Sequence, residues 1–321
     1  MRLTVSIVNY KTPNLVVESV ASVKRFAPMN AELDIAVVDN GSGDGSIEVI
    51  KAAHPDIRMI DAKVNLGFAA GNNLVLRGNT SDYIFLLNSD ALVEPDTLDR
   101  MIAVLSTHPK VGAVGARIVN ASDGADQDFP RHFPSLMAMV RRAITGPEYP
   151  AAGRIEPVPL VRLHGAGMMT RGDALRVVGL LDEGFFMYDE DVDWCTRARN
   201  LGFQLLLLPN VRVLHHGGGS SGRAPSGQRS ALEASATSLR MRYELRRSRY
   251  RLYRKHRAIW EICSLKALTD TVLLMQSLKA GLLACIWPTR RAGAIALMRA
   301  NWRIISINPF TLITVNTDYA D

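Results

Sequence analysis

The chain of 321 residues is short of cysteine, of aromatic residues and of long uninterrupted apolar runs. Its three cysteines, Cys195, Cys263 and Cys285, show no paired spacing, which disfavours a disulfide framework or a cysteine-rich zinc site and favours a reducing compartment. The apolar run at the N-terminus is too short for a signal peptide and predicts a buried strand instead. We expect no transmembrane segment, because charged and polar side chains interrupt the most apolar stretch, residues 268–287.

Acidic residues are scarce in only one part of the chain. The whole sequence has 38 Lys and Arg against 31 Asp and Glu, a net charge of +7 that suggests an anionic partner. Residues 223–303 hold seventeen basic and four acidic side chains, whereas residues 1–222 carry a net charge of −4. The composition, 47% hydrophobic, is typical of a folded protein. We therefore predict an acidic domain over residues 1–222 and a basic segment over residues 223–321.

Strand-like and helix-like patterns alternate through the first 115 residues. Such alternation predicts a layered α/β fold with a mostly parallel central sheet. The predicted strands cover residues 3–8, 33–38, 57–60, 83–87 and 111–115. Six prolines between residues 120 and 160 indicate a long surface excursion, after which strands return at 204–208 and 211–214. Residues 230–255 predict a basic helix, followed by amphipathic helices to about residue 305.

Polar residues follow the predicted strands, at the edge where layered α/β sheets bind ligands. Asp39 could accept from a nucleotide base or ribose, or cap the next helix. Asn88 and Asp90 could bind a divalent cation that bridges to a diphosphate, or form a polar turn. His215 and His216, before three glycines, could bind metal or phosphate.

Four acids lie within residues 189–193, directly after the apolar and aromatic residues 185–188. Repulsion between the carboxylates and an apolar wall both tend to raise a carboxyl pKa, which suits a general base near neutral pH. The alternative is a solvated acidic first turn of a helix, which the helix dipole favours.

Five ordered motifs resemble those of the family 2 glycosyltransferases, especially their rhamnosyltransferase-like branch. The resemblance covers residues 1–222 and implies a GT-A fold, a nucleotide-sugar donor and Mg²⁺ or Mn²⁺. Its motifs lie at residues 6–10, 37–42, 65–73, 87–90 and 185–194.

The resemblance also assigns roles to individual residues. It implies Asp191 as the general base beside Glu190, with inversion at the anomeric carbon. It implies Asp90 as the main metal ligand, with His215 at the metal or diphosphate. The implied nucleotide- and donor-binding residues are Asn9, Tyr10, Asp39, Asn65, Gly67, Asn72, Asn88, His164, Gly165 and Ala166.

Aromatic and basic residues interleave over residues 243–257. An anionic membrane surface, packing in a homo-oligomer and nucleic acid are the three alternatives. We expect no nucleic-acid partner, because no nucleic-acid-binding motif accompanies the pattern. A leucine-rich face over residues 273–283 and a glycan or lipid-linked acceptor favour a cytoplasmic enzyme at the inner face of the plasma membrane.

Two other functions fit parts of the sequence. A nucleotidyltransferase of similar fold would need a glycine-rich phosphate loop with a basic residue near the N-terminus, and residues 9–12 do not supply one. The third hypothesis is a non-catalytic protein that binds polysaccharide or membrane.

Overall fold

The computed structural model describes residues 1–127, 131–148, 155–217 and 236–311, which form two compact units. The sheet unit comprises Met1–Glu183 and Glu190–Ser220, with the C-terminal residues Thr317–Asp321, which lie outside the described residues. The helical unit comprises Gly184–Asp189 and Ser221–Asn316. Gly184–Asp189 therefore belongs to the helical unit, although the sequence analysis placed it in the first domain.

A mixed sheet is the centre of the sheet unit. Its strand order is β3-β2-β1-β4-β8-β6-β9-β5, with β7 paired to β9. The strands are β1 (Arg2–Asn9), β2 (Glu32–Asp39), β3 (Arg58–Asp61), β4 (Tyr83–Asn88), β5 (Ala91–Val93), β6 (Val111–Asn120), β7 (Val158–Pro159), β8 (Gly167–Arg171) and β9 (Gln204–His215).

The direction of the strands brings several chain segments to one edge. The strands β3, β2, β1 and β4 are parallel, and Asn9 is in register with Asp39, which is in register with Asp61. The strand β8 runs antiparallel to β4 and to β6, so its first residue, Gly167, pairs with Leu87 near the end of β4. The polar ends of the parallel strands and the start of β8 therefore meet at the same edge.

Seven helices are described in the sheet unit. In six of them, all but the fifth, apolar residues are buried. In the first helix Val16, Val20 and Val23 are fully buried, as their three- and four-residue spacing predicts. The helices are α1 (Pro13–Arg25), α2 (Ser46–Ala53), α3 (Gly67–Leu76), α4 (Thr97–Thr107), α5 (Leu136–Thr145), α6 (Gly172–Val178) and α7 (Glu190–Asn200).

The predicted surface excursion contains a helix, α5, that the sequence analysis missed. Ser135 caps it by accepting from the N–H of Ala138 at 3.2 Å, and Gly146 ends it at a φ of 79°. Pro134 precedes this cap and Pro147 follows the end, so these prolines bound a helix and do not interrupt one. No residue of α5 is buried, although apolar residues recur along it at helical spacing.

The helical unit contains α8 (Ala236–His256), α9 (Ile259–Ile286) and α10 (Arg291–Ile305). By length and composition alone α9 could cross a bilayer, a criterion that core helices of soluble proteins also meet. The sequence expectation of no such segment was therefore too strict, because two acids and two lysines spread over 28 residues still leave one apolar window of 18 residues. Small and aliphatic side chains pack between the last two helices, among them Leu273, Ala280, Ala294 and Leu297.

Candidate active site

Asp39 is held rigidly at the carboxyl end of β2. Its Oδ1 accepts from Asn9 Nδ2 at 2.7 Å, and its Oδ2 accepts from the N–H of Ser42 at 3.0 Å. Asn9 also donates to Ser42 Oγ at 3.2 Å. Asn9 and Asp39 are both buried. The hydrogen bond from Asn9 therefore orients the Asp39 carboxylate.

Beside Asp39 lies a cleft of about 480 Å³, which is large enough for a nucleoside. Gly41 lies in its wall with a φ of +71°, and a Cβ there would lie 2.6 Å from the backbone of Val64. Only glycine fits that position without a backbone shift. The cleft is lined by Asp39, Gly41, Gly43, Gly45, Ser46, Ile47, Glu48, Asp61 and Lys63.

Sequence reasoning missed two charged residues of this cleft, Asp61 and Lys63. Asp61 ends β3 as Asp39 ends β2, and it pairs with Lys63 Nζ at 2.6 Å. The signal was available, because the rule that polar residues follow strands applies to β3 as well. The predicted strand stopped at residue 60, one residue too early.

The motif at residues 65–73 ties α3 to the sheet. Asn65 Oδ1 accepts from Asn40 Nδ2 and from the N–H of Gly67, both at 3.0 Å. Asn72 is 1% exposed, and it accepts from Ser6 Oγ at 2.8 Å. These contacts give Asn65 and Asn72 a structural task beside the cleft; their contact with a donor stays a prediction.

Tyr10 lies partly exposed directly after β1. The ammonium of Lys11 is 5.2 Å from the centre of its ring, and Lys11 itself has a φ of 57°. The structure therefore puts a cation and an aromatic surface beside the predicted nucleotide contacts.

Asp90 and His215 meet although 125 residues separate them in the chain. Ala91, directly after Asp90, is in register with His215 in the antiparallel pair β5–β9. As a result Asp90 Oδ1 lies 3.1 Å from His215 Nε2, and Asn88 Nδ2 lies 3.2 Å from the same nitrogen. Asp90 and His215 are both buried.

Gln127 fixes the orientation of the His215 ring, a role that the sequence did not reveal. Its Oε1 lies 2.9 Å from His215 Nδ1, and its Nε2 donates to Asn120 Oδ1 at 2.9 Å. This arrangement assigns the proton to Nδ1 and leaves the lone pair on Nε2, beside Asp90. Such support from a second side chain is typical of histidines that bind metal.

A carboxylate and an imidazole nitrogen form a donor set that fits Mn²⁺ or Mg²⁺. Among the described residues no group of three or more His, Cys, Asp and Glu side chains is placed to hold a metal ion. A cation at Asp90 and His215 would take its other ligands from phosphate oxygens and water.

His164 lies between the Asp90–His215 pair and the acidic motif. Its ring centre is 6.4 Å from that of His215, and its Nδ1 accepts from the N–H of Ala166 at 3.1 Å. Burial lowers the pKa of His164 to about 4, outweighing the opposing effect of Asp191. The ring is therefore neutral near pH 7 and carries its proton on Nε2.

The four acids of the cluster have different partners. Asp193 pairs with Arg197 at 2.9 Å inside α7, and Asp189 pairs with Arg249 at 2.6 Å. The buried Asp191 accepts from the N–H of Gly165 at 3.0 Å and from that of Val192 at 2.7 Å. Glu190 is buried at the start of α7. The cluster is therefore not a solvated helix turn.

The chain matches the family model "Glycosyl transferase family 2" over residues 4–178. It belongs to that family. The solved relatives agree with the GT-A fold predicted from the sequence.

Two relatives of this family 2 glycosyltransferase are named as a rhamnosyltransferase and a hexosyltransferase. It is 29% identical over 220 residues to an N-acetylglucosaminyl-diphospho-decaprenol L-rhamnosyltransferase of Mycobacterium tuberculosis, covering 62% of this chain and 71% of the relative. It is 26% identical over 221 residues to the low-salt glycan biosynthesis hexosyltransferase Agl10 of Haloferax volcanii, covering 67% of each.

One solved structure extends the likeness over most of the chain. The mannosyltransferase PcManGT from Pyrobaculum calidifontis, in complex with GDP-Man and Mn²⁺, superposes with a TM-score of 0.54 at 17% identity. The match covers 95% of this chain and 87% of that one. This likeness shows the fold alone.

Proposed function

We propose that this glycosyltransferase moves a sugar, with rhamnose as the first candidate, from a nucleotide-diphosphate donor to a hydroxyl of a cell-envelope glycan or lipid-linked acceptor. The observation that carries the proposal is one sheet edge with three adjoining parts. These are the cleft at Asp39, the Asp90–His215 pair and the Asp191 carboxylate beside Gly165. The name of the mycobacterial relative supports the choice of sugar and acceptor.

The donor nucleoside occupies the cleft at Asp39, whose fixed carboxylate accepts from the base or ribose. Asn9 and Ser42 hold that carboxylate before the donor arrives, so little ordering is needed on binding. Tyr10, Asn65, Gly67 and Asn72 surround or support this cleft.

Asp90 and His215 would hold Mg²⁺ or Mn²⁺, which when bound would supply positive charge to offset that of the diphosphate leaving group. Gln127 keeps His215 Nε2 turned toward Asp90. Asn88 Nδ2 lies against the same nitrogen and is a polar neighbour of the donor phosphates.

Asp191 takes the proton of the acceptor hydroxyl as its oxygen attacks the anomeric carbon. The new carbon–oxygen bond forms on the face opposite the breaking bond to the diphosphate, so the configuration inverts. Backbone N–H groups of Gly165 and Val192 fix the carboxylate, and Glu190 adjoins it. His164 and Ala166 line the same edge, with the neutral ring of His164 presenting an Nε2–H donor.

The helical unit binds an anionic membrane surface through α9 and α10. In the most apolar window of α9 only 17% is buried, and Leu278 and Trp302 are 70% and 65% exposed. Exposed Arg290, Arg291 and Arg299 provide cations for lipid headgroups. Aromatic and aliphatic side chains with nearby arginines are typical of helices that lie in the membrane interface. The proposed location is the cytoplasmic face of the plasma membrane.

A thermal-shift screen of nucleotide sugars with Mn²⁺ or Mg²⁺ tests the donor, since a bound donor stabilises the fold by its occupancy. Incubation of the stabilising donor with a lipid-linked acceptor, followed by NMR of the product's anomeric centre, tests transfer and inversion. If no nucleotide sugar raises Tm and none is consumed, the proposal is wrong.

A further inference from the structure

The basic helix α8 contacts the turn Gly184–Asp189, which directly precedes the acids Glu190 and Asp191 in the chain. Arg249 Nε and Nη2 donate to Asp189 Oδ2 and Oδ1 at 2.6 and 3.0 Å. Ser248 Oγ donates to the carbonyl of Met187 at 2.7 Å. A two-pronged ion pair and a main-chain hydrogen bond therefore fix the end of this turn.

The same helix also covers the aromatic residues of the turn. The guanidinium of Arg251 lies 5.4 Å from the ring centre of Phe185, and the ammonium of Lys255 lies 5.7 Å from it. The guanidinium of Arg240 lies 5.7 Å from the ring centre of Phe186. Residues 240, 248, 251 and 255 share one face of α8, since their spacings are close to whole turns.

The backbone of the turn is in a conformation that needs support. Tyr188 and Asp189 have φ values of 71° and 64°, in the left-handed region that residues with a Cβ rarely adopt. Two such residues in succession strain the turn, and the strain persists only where neighbouring contacts hold the backbone in place. Arg249 provides such a contact at Asp189, and Ser248 provides one at the carbonyl of Met187, two residues before Asp189.

We propose that Arg249 is a positioning residue for the reaction, acting through Asp189 on the first turn of α7. The inference rests on the proposed function, in which Asp191 is the base. The strained pair Tyr188–Asp189 sets the direction in which the chain enters α7, two residues before Asp191. Without Arg249 the pair relaxes, and the Asp191 carboxylate loses its alignment with the acceptor hydroxyl. The donor cleft at Asp39 is made by other strands and keeps its shape.

The test compares Arg249→Ala, Arg249→Lys and Arg254→Ala in the full-length protein, assayed in neutral detergent. Arg254 is exposed on the same helix, so Arg254→Ala removes an equal charge without touching the turn. For Arg249→Ala we expect kcat to fall about 100-fold, the loss typical of a misplacement near 1 Å, with donor affinity changed less than twofold. Arg249→Lys keeps the charge but not the two-pronged geometry, and should recover part of kcat.

Double variants and hydrogen exchange separate positioning from a loss of folding. If Arg249 acts through Asp189, Asp189→Asn with Arg249→Ala should be no slower than Arg249→Ala alone. Amide exchange over residues 184–191 should quicken at least tenfold in Arg249→Ala and not in Arg254→Ala.

The proposal is overturned if Arg249→Ala keeps the kcat of Arg254→Ala, or if its loss appears only as weaker donor binding. If the wild-type chain transfers no sugar, the proposed function fails first. Exchange over residues 184–191 then still decides the contact: acceleration in Arg249→Ala supports it, and an unchanged rate refutes it.

Discussion

The sheet unit and the helical unit use charged side chains differently. In the sheet unit the carboxylates of Asp39, Asp90 and Asp191 are buried and held by short hydrogen bonds or a histidine. In the helical unit several cations on α9 and α10 are exposed, whereas Arg249 on α8 forms an ion pair with Asp189 of the same unit. Buried carboxylates suit metal binding and proton transfer, whereas exposed cations suit binding to an anionic surface. Because Arg249 makes an internal contact, the basic segment is not one uniform membrane-binding surface.

The largest expected effect separates two neighbouring acids of α7. Asp191→Asn should lower transfer about 1000-fold or more, because the amide cannot take the acceptor proton, while donor affinity stays nearly unchanged. Asp193→Asn should instead lower the free energy of unfolding by about 3 kcal/mol, since it breaks the buried pair with Arg197. Steady-state kinetics, donor titration and denaturant unfolding measure these quantities. Retained turnover in Asp191→Asn would exclude it as the base.

The second prediction concerns the metal. Asp90→Ala should abolish the response of activity and Tm to Mn²⁺, since it removes the only carboxylate of the Asp90–His215 pair. Gln127→Met keeps the size of the side chain but not its contact with His215 Nδ1, and should weaken Mn²⁺ binding about 10- to 100-fold. Calorimetric titration with Mn²⁺ checks both. An unchanged affinity in both variants would refute this site.

The third prediction uses pH. Because the pKa of His164 is lowered from 6.5 to about 4 in the folded state, protons bind the unfolded chain more readily. Its contribution to stability is fully present above pH 6.5 and is lost as pH falls toward 4, amounting to about 3 kcal/mol. His164→Gln should flatten the pH dependence of unfolding over this range, measured with denaturant. His216→Gln, which changes an exposed histidine, is the control.

The smallest effect concerns the helical unit. Leu278→Ser should weaken sedimentation with anionic vesicles about tenfold, the free energy of one leucine side chain leaving an apolar phase. Leu201→Ser changes an exposed leucine of the sheet unit and should leave vesicle binding unaltered. Neither substitution should alter transfer to a soluble acceptor. Equal losses in the two variants would show that the helical unit has no special part in membrane binding.

The sequence predicted what local patterns encode. Strand ends with polar residues located Asp39 and Asp90, and the order of motifs identified the family and the fold. Gln127 and Asp61 were not predicted. Gln127 contacts His215 because β6 pairs with β9, and Asp61 lies one residue beyond a predicted strand. Pairings of distant strands leave no periodic signal along the chain.

The predicted leucine-rich face over residues 273–283 includes leucines that are not exposed. Leu274, Leu278 and Leu282 are exposed, whereas Leu273 is buried between helices. Helical spacing groups such residues, but only packing decides which of them face the core. The contact between the turn Gly184–Asp189 and α8 could not be predicted from the sequence either, because its ion pair joins Asp189 to Arg249, 60 residues further along the chain.

The reversed strand β8 has a consequence for how new specificities arise. Because it runs against β4, it contributes its beginning to the edge where its neighbours end, and Ala166 O accepts from the N–H of Asn88 at 3.4 Å. His164, Gly165 and Ala166 are thus anchored from the sheet side. Insertions or deletions in α5, no residue of which is buried, would leave this anchoring intact. New specificities can therefore arise from changes elsewhere in the chain while the residues at the sheet edge stay in place.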